Sequence, residues 1–139
     1  MKRFAIVTAL AMFLAAPLTL AQTPPPAQKA KFVPPVKGVA TIDVQRVSSK
    51  KVGKEWSTLV KVRNTSKGSI NLLRVEQFWY DRNSKQVSYG EYKHRKAPIQ
   101  PGEVIEFTIV APDGPQISHD SLLFKHANGT VTANQVKKM

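Results

Sequence analysis

Residues 56–63 read WSTLVKVR, and the alternation in that stretch decides the fold class. Trp56, Thr58, Val60 and Val62 fall on one side of an extended chain, and Ser57, Leu59, Lys61 and Arg63 on the other. Successive side chains of a strand point to opposite faces, so a period of two means a strand with one face buried and one wet. A helix repeats its apolar residues every three or four positions, and no segment from Gly38 onward sustains such a stripe.

The same period extends outward in both directions. Upstream, Ala40, Ile42 and Val44 alternate with Thr41, Asp43 and Gln45. Downstream, Leu73, Val75 and Trp79 share one face of a run from Ile70 to Asp81, and Val87 with Tyr89 opens a fourth strand. Ile105, Phe107 and Ile109 mark a fifth, Leu122 and Phe124 a sixth, and Val131 with Ala133 a seventh. Glycines and prolines punctuate these runs; only Gly90 falls inside one, where it reads as a bulge. Short strands at this spacing predict an all-β, antiparallel two-sheet sandwich of about seven strands, immunoglobulin- or fibronectin-III-like. The chain has no cysteine, so such a fold is held by burial without a disulfide.

The 139 residues divide into three parts. Lys2 and Arg3 precede an apolar run from Phe4 to Ala16, and Thr19 and Ala21 stand three and one positions before Gln22. That run is shorter than the roughly 20 residues a membrane-spanning helix needs, so residues 1–21 are expected to be a cleaved signal peptide. Residues 22–37, QTPPPAQKAKFVPPVK, hold five of the ten prolines and are expected to be an extended tether. Residues 38–139 are the expected sandwich domain, ending in a short basic tail with Lys137 and Lys138. No second apolar stretch is long enough to span a bilayer, so export to the periplasm or beyond is expected, with at most peripheral attachment to the envelope.

The third strand ends Gln77-Phe78-Trp79-Tyr80-Asp81, followed directly by the polar turn Arg82-Asn83-Ser84-Lys85. Val60-Lys61-Val62-Arg63-Asn64-Thr65-Ser66 lies upstream, and Ile99-Gln100-Pro101-Gly102-Glu103 leads into the strand carrying Phe107. This order resembles the FxLYD family of small sandwich domains of exported or envelope-anchored bacterial proteins. The Tyr-Asp pair of that signature stands at Tyr80 and Asp81; Gln77 and Trp79 occupy its Phe and Leu positions. The resemblance implies an architecture and a setting, and carries no activity or cofactor.

Several chemistries are excluded by residue count and spacing. The seven glycines lie too far apart for a phosphate-cradling loop, and no nucleophile elbow, His-Glu-x-x-His motif or calcium loop occurs. A metal needs three or four convergent donors. The nearest cluster is His119-Asp120 with His126, and His119 and Asp120 would point to opposite faces of a strand. The nine acids form no adjacent pair for acid–base work. We therefore expect no enzyme, no metal site and no cofactor. Asn64-Thr65-Ser66 and Asn128-Gly129-Thr130 have the formal glycosylation pattern, but such residues are also ordinary turn formers.

Two surfaces remain as candidates. With Leu73, Val75 and Trp79 inward, Arg74, Glu76, Phe78 and Tyr80 point outward. Two aromatics beside an arginine either pack under a cover or form a recognition patch, for which Arg74, Phe78 and Tyr80 are the candidates and another envelope protein the partner. Sheet edges would offer a second route to that partner. The 21 Lys and Arg outnumber the nine acids, for a net charge of +12. Lys50, Lys51 and Lys54 at the first hairpin turn, and Lys93, Arg95 and Lys96 after the fourth strand, are the candidates for an alternative reading. In it, the chain binds anionic lipid, lipopolysaccharide or acidic cell-wall polymer. Nucleic acid shares these electrostatics, but export makes it no specific partner, and any binding should be sequence-blind.

Overall fold

The computed structural model describes residues 32–139; the expected signal peptide and residues 22–31 of the expected tether lie outside the described residues. Seven strands follow in chain order: β1 (Ala40–Val52), β2 (Glu55–Asn64), β3 (Arg74–Asp81), β4 (Gln86–Lys93), β5 (Val104–Pro112), β6 (Ile117–His126) and β7 (Gly129–Gln135). The chain is all-β in its described part and has no cysteine.

The seven strands form one continuous, nearly closed sheet in the order β4-β3-β6-β7-β1-β2-β5. Two features cause this. First, β1 pairs with β2 on one side and parallel with β7 on the other, from Ala40↔Val131 to Val44↔Gln135. Second, a two-pair ladder, Lys125↔Thr130 and His126↔Gly129, carries the sheet from β6 into β7. The outermost strands, β4 and β5, face each other. Ser88 Oγ donates to the Pro112 carbonyl, and a Cβ on Gly90 would stand 2.6 Å from the Val110 oxygen. Gly90 thus serves close approach of β5 rather than a bulge; the register shift lies at Val87, between the pairs Trp79↔Ser88 and Tyr80↔Gln86. Closing a sheet in this way hides edges that would otherwise recruit other strands.

The β1–β2, β3–β4 and β5–β6 connections gather at what we call the hairpin end; the β2–β3, β4–β5 and β6–β7 connections gather at the loop end. At the hairpin end β1 turns into β2 through Gly53-Lys54, with Gly53 at φ +61 as the first central residue of a II′ turn requires. Lys50 and Lys51 were expected on this turn but belong to β1, paired with Ser57 and Trp56, because the ladder continues to Val52↔Glu55. At the loop end, the run expected from Ile70 is broken before β3 begins at Arg74: Leu72 has φ 50. Ile70 exchanges both backbone hydrogen bonds with Ile99, the Asn71 carbonyl accepts from Ala127 N–H, and the Leu73 carbonyl from His94 N–H. Asn64, buried, donates its side-chain amide to the Gly68 and Ile99 carbonyls and accepts from Ser66 N–H, so the first formal sequon is a turn lock.

Residues 33–37, the end of the expected tether, and Gly38 after them are bonded to the body. Val36 N–H donates to the Ser69 carbonyl, Ser69 N–H to the Pro34 carbonyl, and Gly38 N–H to the Asn128 carbonyl. At the other terminus Val136 N–H donates to Val44, and the Gln45 side chain holds both the Lys137 carbonyl and Met139 N–H. The core comprises the inward residues of β1, β2, β3 and β5 with Ile70, Ile99 and Phe124; Tyr92 of β4 stacks on Phe107 with ring centroids 4.0 Å apart.

Candidate functional site

The outer face of β4-β3-β6 is built in rows by the register. Lys93, Arg74 and Lys125 stand side by side, then Glu91, Glu76 and Leu123, then Tyr89, Phe78 and Ser121, then Tyr80 beside His119. Period-two alternation therefore brings the sequence-predicted Arg74, Phe78 and Tyr80 onto one face of the central strand, each partly exposed. Phe78 tilts against Tyr89 at 5.3 Å between centroids, and Tyr80 stacks on exposed His119 at 5.2 Å. These aromatics partly cover one another and stay partly exposed.

The charged rows neutralise each other almost completely. Arg74 lies 2.9 Å from Glu76 and 3.0 Å from Glu91, Lys125 lies 3.0 Å from Glu76, and Lys93 lies 3.0 Å from Glu91. The Tyr89 hydroxyl sits 3.1 Å from both carboxylates. Lys125, then Tyr89 and Arg74, hold the Glu76 carboxyl below the ordinary glutamate value; Lys93, then Tyr89 and Arg74, do the same for Glu91. Burial raises the Tyr89 hydroxyl, which stays protonated as a donor. Arg74 is thereby engaged by two carboxylates and the Tyr89 hydroxyl. Asp81 closes the turn beneath this face, its Oδ1 accepting from Asn83 and Lys85 N–H, which explains an aspartate immediately after Tyr80.

Behind the same strands lies a polar cluster that sequence reasoning missed. Gln77, fully buried, donates to Asp120 Oδ2 at 2.7 Å and Thr58 Oγ1 at 3.0 Å, and Arg46 reaches Asp120 Oδ1 at 2.6 Å. Trp56 and Trp79 lie next to it, 4.9 Å between centroids. Trp56 Nε1–H donates to Asp113, which Lys51 also meets at 2.5 Å, and these two hold the Asp113 carboxyl below its ordinary value. Gln77 Oε1 and Trp79 Nε1 are buried without a hydrogen-bond partner. The signal was present in parity alone: Arg46, Thr58 and Gln77 each continue an inward apolar series.

The six candidate cations divide between opposite ends. Lys50, Lys51 and Lys54 lie at the hairpin end, and Lys93, Arg95 and Lys96 at the loop end, so they do not form one surface. His119, Asp120 and His126 are also kept apart: the first lies outside on Tyr80, the second inside on Gln77, and His126 bonds the Gly38 carbonyl. Among the described residues no three His, Asp or Glu side chains gather to hold a metal.

No protein-family model matches the chain, and no curated protein matches its sequence. Among solved structures, it is similar to IrmA from Escherichia coli, with 5% identity over 72% of this chain and 94% of that one, at a TM-score of 0.49. Two structures of an exo-β-N-acetylglucosaminidase from Vibrio harveyi match at 12% and 14% identity, both with a TM-score of 0.34. The chain aligns with 19% of the length of each of those glycosidases.

Proposed function

We propose that this chain is an exported, non-catalytic binding module of the bacterial envelope that recognises another envelope protein through the outer face of β4-β3-β6. The observation that carries the reading is the row arrangement there. Aromatic side chains and one exposed leucine lie on a centrally paired strand set, beside charges that are joined in ion pairs. Such a face can be desolvated by a partner without stranding an unpaired charge. A sandwich of the immunoglobulin or fibronectin-III kind, related to FxLYD domains, is the finer architecture we infer, with β7-β1-β2-β5 packed on β4-β3-β6 and β7 joining the two layers through its short ladder with β6. The strand order supports it. Edge pairing is the weaker route, since β4 and β5 lie against each other.

The test is capture of partners from the native envelope by the tagged chain, eluted through a salt gradient, in parallel with a Phe78→Ser/Tyr80→Ser variant. A discrete protein that stays bound beyond roughly 0.5 M salt, where screening has cut the Debye length to a few ångströms, and that the variant loses without a change in melting temperature, supports the reading. A partner retained by the variant, or release of lipid or acidic polymer alone at low salt, overturns it.

A further inference from the structure

Leu72 is the least expected side chain on the molecule. It is 61% exposed and held at φ 50, a backbone region that leucine avoids. The free protein gains neither burial nor backbone relaxation from a leucine there. The conformation is imposed from both sides: the carbonyls of Asn71 and Leu73 are bonded to β6–β7 and β4, and Leu73 itself is fully buried. The loop is therefore a rigid mount that aims one aliphatic side chain outward. Strain kept by an over-determined surrounding is a motive to look for function.

The surroundings specify the partner. Leu72 forms the ridge between two open hollows of about 420 and about 300 Å³, which Arg74, Lys93, Arg95 and Lys96 also line, with no acid in either. Arg74 and Lys93 are in ion pairs, whereas Arg95 and Lys96 are exposed and form none among the described residues. His94, buried between them, uses both ring nitrogens on Tyr92 and Ala97 and stiffens the rim. An apolar tip ringed by cations matches a layer that is anionic at its surface and apolar just beneath. We propose that the loop end docks on an anionic lipid bilayer, Leu72 entering the headgroup–acyl boundary while Arg95 and Lys96, flanked by Arg74 and Lys93, hold lipid phosphates. This surface adjoins the outer face of β4-β3-β6 through Arg74 and Lys93, but its tip, Leu72 with Arg95 and Lys96, lies in the loops beyond those strands.

The absence of cysteine makes the test specific to position. The full chain carrying Leu72→Cys, or Val52→Cys at the hairpin end, is labelled with a polarity-sensitive fluorophore and mixed with vesicles of phosphatidylcholine, with or without about one-third phosphatidylglycerol. The expected result is a blue shift at position 72 on the anionic vesicles only and none at 52. Adding Arg95→Glu and Lys96→Glu to the position-72 protein should weaken the response by at least about tenfold, each cation being worth roughly fivefold near such a surface. The melting temperature should not change. No shift at 72, an equal shift at 52, a shift on uncharged vesicles, or a shift that survives the charge reversal would each overturn the proposal.

Discussion

The interior of this protein has two unlike ends built from the same strands. Toward the loop end, Ile42, Val62, Leu73 and Phe124 close with Ile70 and Ile99 into a dry core. Toward the hairpin end, the same inward face of β1, β2, β3 and β6 carries Arg46, Thr58, Gln77 and Asp120 in one hydrogen-bonded chain beside two tryptophans tilted against each other. Inward direction and apolar character are thus separate properties. Burial by packing tolerates loss of volume poorly, whereas burial by a polar network tolerates loss of a partner poorly. The two ends should therefore fail in different ways.

The largest effect belongs to the dry end. Phe107→Ala removes the ring stacked on Tyr92 and should destabilise the fold by about 3–5 kcal/mol, read by urea denaturation. If it costs no more than a surface substitution, that end is not the dominant core.

Asp120→Ala comes next, because it takes a partner from the fully buried Gln77 amide while the exposed Arg46 guanidinium turns to water; a loss of about 1–3 kcal/mol is expected. Replacing Gln77 and Asp120 together by leucine or methionine, with exposed Arg46 left in place, should recover most of that loss, as removing both partners of a buried polar pair often does. A double variant less stable than Asp120→Ala would mean that the pair contributes net stability.

Acid sharpens the contrast further. Lys51 and Trp56 depress the Asp113 carboxyl in the folded protein, so the unfolded chain takes up its proton first as pH falls. The contribution is fully present above about pH 3.9, the ordinary aspartate value, and is lost as pH drops through the folded one. The fluorescence of Trp56 and Trp79 at the hairpin end should respond in that range, and the response should shrink in Asp113→Asn. Glu76 and Glu91, depressed by Lys125 and Lys93, add a loss of the same sign below about pH 4.3.

The smallest effect is a gain. Leu72→Asn places a residue tolerant of positive φ at the strained, exposed position and should raise stability by about 1 kcal/mol, seen as a higher denaturation midpoint. A fall instead would mean that Leu72 packs into the loop end and is not a presented tip.

Strand parity was legible from residues such as Trp56, Val60 and Val62, because side-chain direction in an extended chain is a local property. The placing of Arg74, Phe78 and Tyr80 on one face followed from the same rule. Their engagement did not: Tyr89, Glu91 and Lys125, which hold Arg74 and Glu76, come from β4 and β6 through the register. Leu72 left no trace, since leucine carries no turn preference and its φ is imposed by hydrogen bonds from β4 and β6–β7.

The chain alone determined that it folds as strands, how many, which side faces inward in strands such as β2 and β5, and that no disulfide holds them. In β4 the apolar Tyr89 that marked the strand faces out, and Ser88, Gly90 and Tyr92 face in. Only the tertiary structure decided that the strands close into one sheet and that an inward glutamine meets an arginine and an aspartate. It also decided that two lysine groups lie at opposite ends and that a leucine is held outward. The physical reason is the range of the interactions. Alternation acts between neighbouring residues, whereas register, closure and charge pairing join residues such as Arg46 and Asp120, which are 74 positions apart.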